Sequence, residues 1–158
     1  MSNFLTTTGS TPVRDHVVAE SGAVDAAPTA IVVASLRGEA GRSVLDEAVR
    51  ESVYRGAAGN PAALHVVSFR SDQASSPSLG EQAEAEDIAR QLTEAGIEFR
   101  VYRAGAEAAD QILDLIERTN AELLAISVRR RSPMMKLFLG SVAQQLILEA
   151  PCPVLAVK

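Results

Sequence analysis

Apolar and polar positions change period several times along this chain, and from Ala30 onward the changes are regular. IVVAS (31–35) is a short, wholly apolar, β-branched run, as expected of a strand covered on both faces. After RGEAGRS, the stretch VLDEAVRESVYRGA (44–57) puts Val44, Leu45, Ala48, Val49 and Val53 on one helical face, with Ser43 as its expected N-cap. AALHVVSF (62–69) predicts a second strand, and the polar stretch SDQASSPSLG a long loop after it. A helix is predicted over 81–95, with Ala85, Ile88, Ala89 and Leu92 inward and Gly96 as its stop. IEFRVYRAG (97–105) reads as the third strand, and 106–119 as a helix with Ile112, Leu113, Leu115 and Ile116 as its apolar positions. AELLAISV (121–128) is the fourth strand, a helix opens at Ser141 and runs to about Glu149, and PVLAVK closes the chain as the fifth strand.

Five strands alternating with four helices, joined by crossovers long enough for right-handed βαβ units, predict an α/β fold. The expected form is a doubly wound, open, parallel five-stranded sheet with helices on both faces. Ligands in such sheets bind beyond the C-terminal ends of the strands, where the strand order reverses. That directs attention to the loops after the first and fourth predicted strands. Residues 1–28, rich in Thr, Ser, Gly, Ala and Pro, are expected to form a flexible tail before a domain at 29–158. Within the tail, RDHVVAES (14–21) reads as a transient helical turn or a segment that docks on a partner.

Composition narrows the function classes. At 158 residues with 47% hydrophobic and 22% charged positions, the chain can build one well-filled core without disulfides or metals. A net charge of −5 and the absence of Trp argue against nucleic acid, which needs a clustered cationic surface or a stacking platform. The single Cys152 is compatible with a reducing compartment. No run of 18 apolar residues predicts a membrane span, and MSNFLTTTGSTPVRDHVV lacks a secretory h-region. The expectation is a cytoplasmic protein with neither nucleic acid nor membrane as partner. His16 and His65 have no companion ligands in the pattern, so no metal is expected.

Candidate chemistry is sparse. LRGEAGRS (36–43) sits where a P-loop would, but Leu36 replaces its first glycine, Arg42 its lysine, and Glu39 adds an anion. His65 reads as a structural residue of its strand, and Cys152, between Pro151 and Pro153, as an inert thiol. The stretch SVRRRSPMMKLFLGSVAQQ (127–145) is richer: Arg129, Arg130 and Arg131 end a strand, and Gly140-Ser141 opens a helix. Ser141 and Gln144 have capping-box spacing, which needs no ligand. The free N–H groups of a helix N-terminus also suit phosphate.

LFLGSVAQQLILEAPCPVLAVK (137–158), LHVVSF and the Gly105 loop together make the chain resemble the universal stress protein (UspA-like) family over about residues 30–158. The resemblance implies an adenine nucleotide alpha hydrolase-like, Rossmann-like fold, and a homodimer joined through the last strand at Val154, Leu155, Ala156 and Val157. It also implies a nucleotide site, ATP or AMP, at Ser35, Leu36, Ser127, Arg129, Arg130, Arg131, Gly140, Ser141 and Val142. Ser127 and Arg130 stand where nucleotide-binding members carry two glycines, and Leu36 where the first strand ends in an aspartate. The loop is therefore degenerate, with Arg130 adding bulk and Pro133 removing an N–H.

Three readings stay open. The first is a non-catalytic stress-response homodimer with no cofactor, the second an ATP or AMP sensor, and the third a weak ATPase or autokinase. No general base or carboxylate pair is apparent for the third, so no catalytic residue is named.

Overall fold

The computed structural model describes residues 16–36, 39–70, 79–128 and 140–158. Six strands, β1 (Val17–Glu20), β2 (Thr29–Leu36), β3 (Ala62–Phe69), β4 (Phe99–Arg103), β5 (Leu123–Ser127) and β6 (Val154–Val157), form one sheet in the order β1-β4-β3-β2-β5-β6. The neighbours from β4 to β6 pair in parallel, while β1 joins the β4 edge antiparallel. The five predicted parallel strands are all present.

Among the described residues, four helices cross between the parallel strands: α1 (Glu39–Ala57), α2 (Leu79–Glu94), α3 (Ala108–Thr119) and α4 (Ser141–Glu149). Alternation along the strands sends Ile31, Val33, Leu64, Val66 and Val101 to one face, where they meet Val44, Leu45 and Ala48 of α1 and Ile88 and Leu92 of α2. Val32, Ala34, Val67, Leu124 and Ile126 fill the other face against Ile112, Leu115 and Ile116 of α3 and Leu146 of α4. A sheet whose strands are buried on both faces needs the continuous apolar runs seen in the sequence. Each fully buried Leu or Ile contributes roughly 1.5–3 kcal/mol of transfer free energy.

Three helices stop in the same way. Gly59 at φ +83°, Gly96 at φ +70° and Asn120 at φ +50° take the left-handed conformation just past α1, α2 and α3. That conformation turns the last N–H groups back onto the helix, as in Ile97 N–H to Leu92 O at 3.1 Å and Ala121 N–H to Ile116 O at 3.0 Å. The expected stop at Gly96 is thus a real one.

Two expected caps are corrected. Helix α1 opens at Glu39, so Ser43 lies inside its second turn and not at the N-cap. Helix α4 has Gly140 as N-cap with no side-chain cap bond, so Ser141 is the first helical residue and the capping box does not form.

The largest correction concerns residues expected to belong to a flexible tail. Val17–Glu20 form β1, and Val24–Ala26 a 3-10 turn that buries Val24. The driving contacts come from β4. The Ser21 N–H donates to Phe99 O at 2.8 Å, the Phe99 N–H to Ser21 Oγ at 2.7 Å, and Arg100 Nε to Glu20 Oε2 at 2.6 Å. Residues 1–15 lie outside the described residues.

Candidate functional site

Strand β2 has β3 on one side and β5 on the other, and the chain passes from β4 back across the sheet to β5. The order therefore reverses between β2 and β5, which puts the crevice expected of an open α/β sheet beyond their C-terminal ends. Both strands implicated in the sequence analysis end there.

Register brings hydroxyl groups to this rim. Ser35 of β2 pairs with Ser68 of β3, and Val33 of β2 with Ala125 of β5. Two residues further along, Ser35 and Ser127 continue that second row, because side chains two apart share a face. Ser35 is buried, while Ser68 and Ser127 are half-buried. Ser68 was not singled out from the sequence, since only the β2–β3 register reveals its place in the row. Val128, next in line, is buried and its N–H is held by Val157 O at 2.7 Å.

Helix α4 supplies the other wall. Gln144 N–H donates to Gly140 O at 3.0 Å, so the N–H groups of Ser141, Val142 and Ala143 have no partner inside the helix. Ser141 is exposed and Val142 half-buried. Gly140 has φ −60°, an ordinary value, and a Cβ added there would meet nothing within 4 Å. Its glycine is required neither by backbone angle nor by crowding from the described residues. Gln145 Nε2 donates to Asp110 Oδ1 at 2.8 Å and ties α4 to α3.

Ser35, Ser127, Gly140, Ser141 and Val142 are thus described at this end of the sheet. Leu36 closes β2 next to Phe69 of β3 in the ladder. Arg129, Arg130 and Arg131 lie outside the described residues, as does Pro133. The P-loop-like stretch is interrupted by helix, since α1 already includes Glu39–Ser43.

At the opposite edge, β6 pairs only with β5 among the described residues. Leu124 N–H donates to Pro153 O at 3.0 Å and Val128 N–H to Val157 O at 2.7 Å. Alternation along a parallel ladder then turns the backbone groups of Val154 and Ala156 outward. Val154, Leu155 and Val157 are half-buried and Ala156 is exposed. Cys152, just before β6, is free and half-buried, and burial pushes its thiol above the ordinary range, which disfavours a nucleophilic thiolate.

Residues 28–158 match the model of the universal stress protein family. The chain belongs to that family. A universal stress protein from Mycolicibacterium smegmatis is 45% identical over 76 residues, which is 48% of this chain and 58% of that protein. The aligned stretch thus spans little more than half the length of this relative. The universal stress protein fold itself extends over more of the chain. A structure of the universal stress protein from Archaeoglobus fulgidus superposes with a TM-score of 0.63 at 28% identity, covering 82% of this chain and 98% of that one. A second A. fulgidus structure, in complex with dAMP, has a TM-score of 0.59 at 24% identity and covers 84% of this chain and 99% of that one. Strand β1 precedes the stretch that matches the family model.

Proposed function

We propose that this chain acts as a non-catalytic stress-response module of the cytoplasm that pairs with a second copy through β6. The observation that carries this reading is the asymmetry of the two sheet edges. The β4 edge is covered by β1, whereas β6 has no strand beyond it among the described residues. An apolar terminal edge with outward N–H and C=O groups favours strand addition over solvent. Two copies related by a two-fold axis would align Val154–Val157 antiparallel and join two sheets into one. The free, half-buried Cys152 fits a reducing compartment. Light scattering at micromolar concentration tests the pairing: the mass of two chains is expected, and the mass of one overturns it.

A second reading has its own support. The serine row of β2, β3 and β5 and the free N–H groups of α4 flank one crevice at the switch point, an arrangement suited to a ribose and phosphates. The relative in complex with dAMP supports an adenine nucleotide as the ligand class. In this reading Ser35, Leu36, Ser127, Gly140, Ser141 and Val142 line the ligand, and Arg129, Arg130 and Arg131 replace glycine N–H groups as phosphate donors. Calorimetry with ATP, ADP and AMP, each with and without Mg²⁺, decides between the two. Heat and a saturable isotherm support the sensor, while silence at millimolar nucleotide leaves the dimer as the whole function.

A further inference from the structure

The region far from the crevice contains a buried histidine that neither reading uses. His65 of β3 is 4% exposed, and its Nδ1 shares a hydrogen bond with Tyr102 Oη at 2.8 Å. The rings stack with centroids 5.9 Å apart. Of the segment Val17–Ala26, which pairs with the β4 edge through β1, Val24 and Asp25 border a cavity of about 400 Å³ that is also lined by His65, Arg100, Tyr102 and Arg118, among others.

We propose that Val17–Ala26 is an acid-released strap, closed over His65 at neutral pH and lifted from the β4 edge when the imidazole takes up a proton.

Attachment of the strap is mostly polar. Val24 is its buried apolar residue, and the four residues of β1 are exposed or half-buried. Its grip comes from Arg100, which holds Glu20 and Asp25 together, and from Ser21, whose hydroxyl donates to Glu98 and accepts from the Phe99 N–H. A segment with so little apolar burial opens at lower free energy than the sheet it lies on.

The surroundings of His65 make a second ring proton unfavourable while the strap is closed. Arg100 and Tyr102 face it from β4, Arg118 from α3, and Asp25 from the strap. Arg118 is itself paired with Asp114 at 2.7 Å. The β2 residue beside it in the ladder is Val32, which is apolar and buried. Desolvation, and then the Arg100 charge, lower the His65 pKa to about 4, with Asp25 opposing. Lifting the strap widens this half-open cavity around the imidazole and relieves the desolvation that dominates.

A neutral histidine in the closed state and a titrating one in the open state favour opening as pH falls. With a closed pKa of about 4 and an ordinary 6.5 when open, the open-to-closed ratio rises about 20-fold between pH 7 and pH 5. Asp25 stays charged over that interval because its bond to Arg100 lowers its pKa from 3.8. The pH response over that interval is therefore assigned to the imidazole.

Amide hydrogen exchange of the full chain tests this, read as protection factors so that the intrinsic pH dependence cancels. The Ser21 amide and the β1 amides should lose about 20-fold protection from pH 7 to pH 5, while β2 and β3 amides keep theirs. In His65→Gln, which keeps a polar partner for Tyr102 without a titrating ring, that loss should vanish. Equal protection at both pH values, an equal loss in H65Q, or a loss shared by β3 overturns the proposal. Should H65Q fail to fold, the His65 ring resonance of the wild type is followed by NMR against pH. A midpoint near the ordinary 6.5 with Ser21 still protected overturns it as well.

Discussion

Arg100 of β4 and Asp25, 75 residues apart in the chain, meet in a two-point ion pair, with Nη1 on Oδ1 at 3.1 Å and Nη2 on Oδ2 at 2.9 Å. The third nitrogen of the same guanidinium donates to Glu20 at 2.6 Å. One planar fork thus engages two carboxylates of the N-terminal segment, a geometry that a lysine ammonium does not reproduce. The two carboxylates hold the Arg100 pKa above the ordinary arginine value, despite partial desolvation.

Asp25 is 78% exposed, so water screens most of this pair. Asp25→Asn is expected to lower global stability by under about 1 kcal/mol at low salt. The gap to wild type should close near 1 M salt, where the Debye length falls to about 3 Å. Urea denaturation at the two salt concentrations checks both halves, and a gap that survives high salt would mean that packing, not charge, holds the segment.

Tyr102 is buried, and its Oη is the hydrogen-bond partner of His65 Nδ1. Tyr102→Phe keeps the ring but leaves a buried nitrogen without that partner. The expected loss is about 1–3 kcal/mol, or roughly 2–4 °C in Tm per kcal/mol for a chain of this size. A thermal scan that shows no change would place a water where the hydroxyl was.

Gly96 ends α2 at φ +70°, and a Cβ there would touch nothing within 4 Å. Gly96→Ala therefore isolates conformational cost from crowding. Destabilisation of about 1–2 kcal/mol is expected from the left-handed angle alone. Gly140→Ala, at φ −60° with equally open surroundings, should change stability by much less. Paired denaturation midpoints of the two variants test the contrast.

The central sheet was legible because its strands are buried on both faces, and burial on both faces writes a continuous apolar run such as IVVAS into the sequence. The helix stop at Gly96 was legible for a similar reason, since the residue type reports the backbone angle. Strand β1 was not. VVAE is short and polar-flanked, and its stabilising partners, Phe99 and Arg100, lie about 80 residues away in sequence. Local patterning cannot report a contact of that range. The start of α1 was hidden by Gly38 and Gly41, which read as loop, although the helix runs through Gly41. For the crevice, Ser35, Ser127 and Gly140 were found through the family resemblance, whereas Ser68 became visible only through strand register.

Pairing through β6 is the central claim, and Ala156 is the residue that probes it. Its backbone N–H faces outward, away from the β5 ladder held by Pro153 O and Val157 O. Ala156→Pro removes that donor without taking a bond from β5, as proline is tolerated on an edge strand. Sedimentation equilibrium of wild type and A156P, with circular dichroism to confirm that both are folded, is the most direct measurement. A dimeric wild type and a folded monomeric A156P are predicted, and a monomeric wild type or an A156P that stays dimeric would contradict the account.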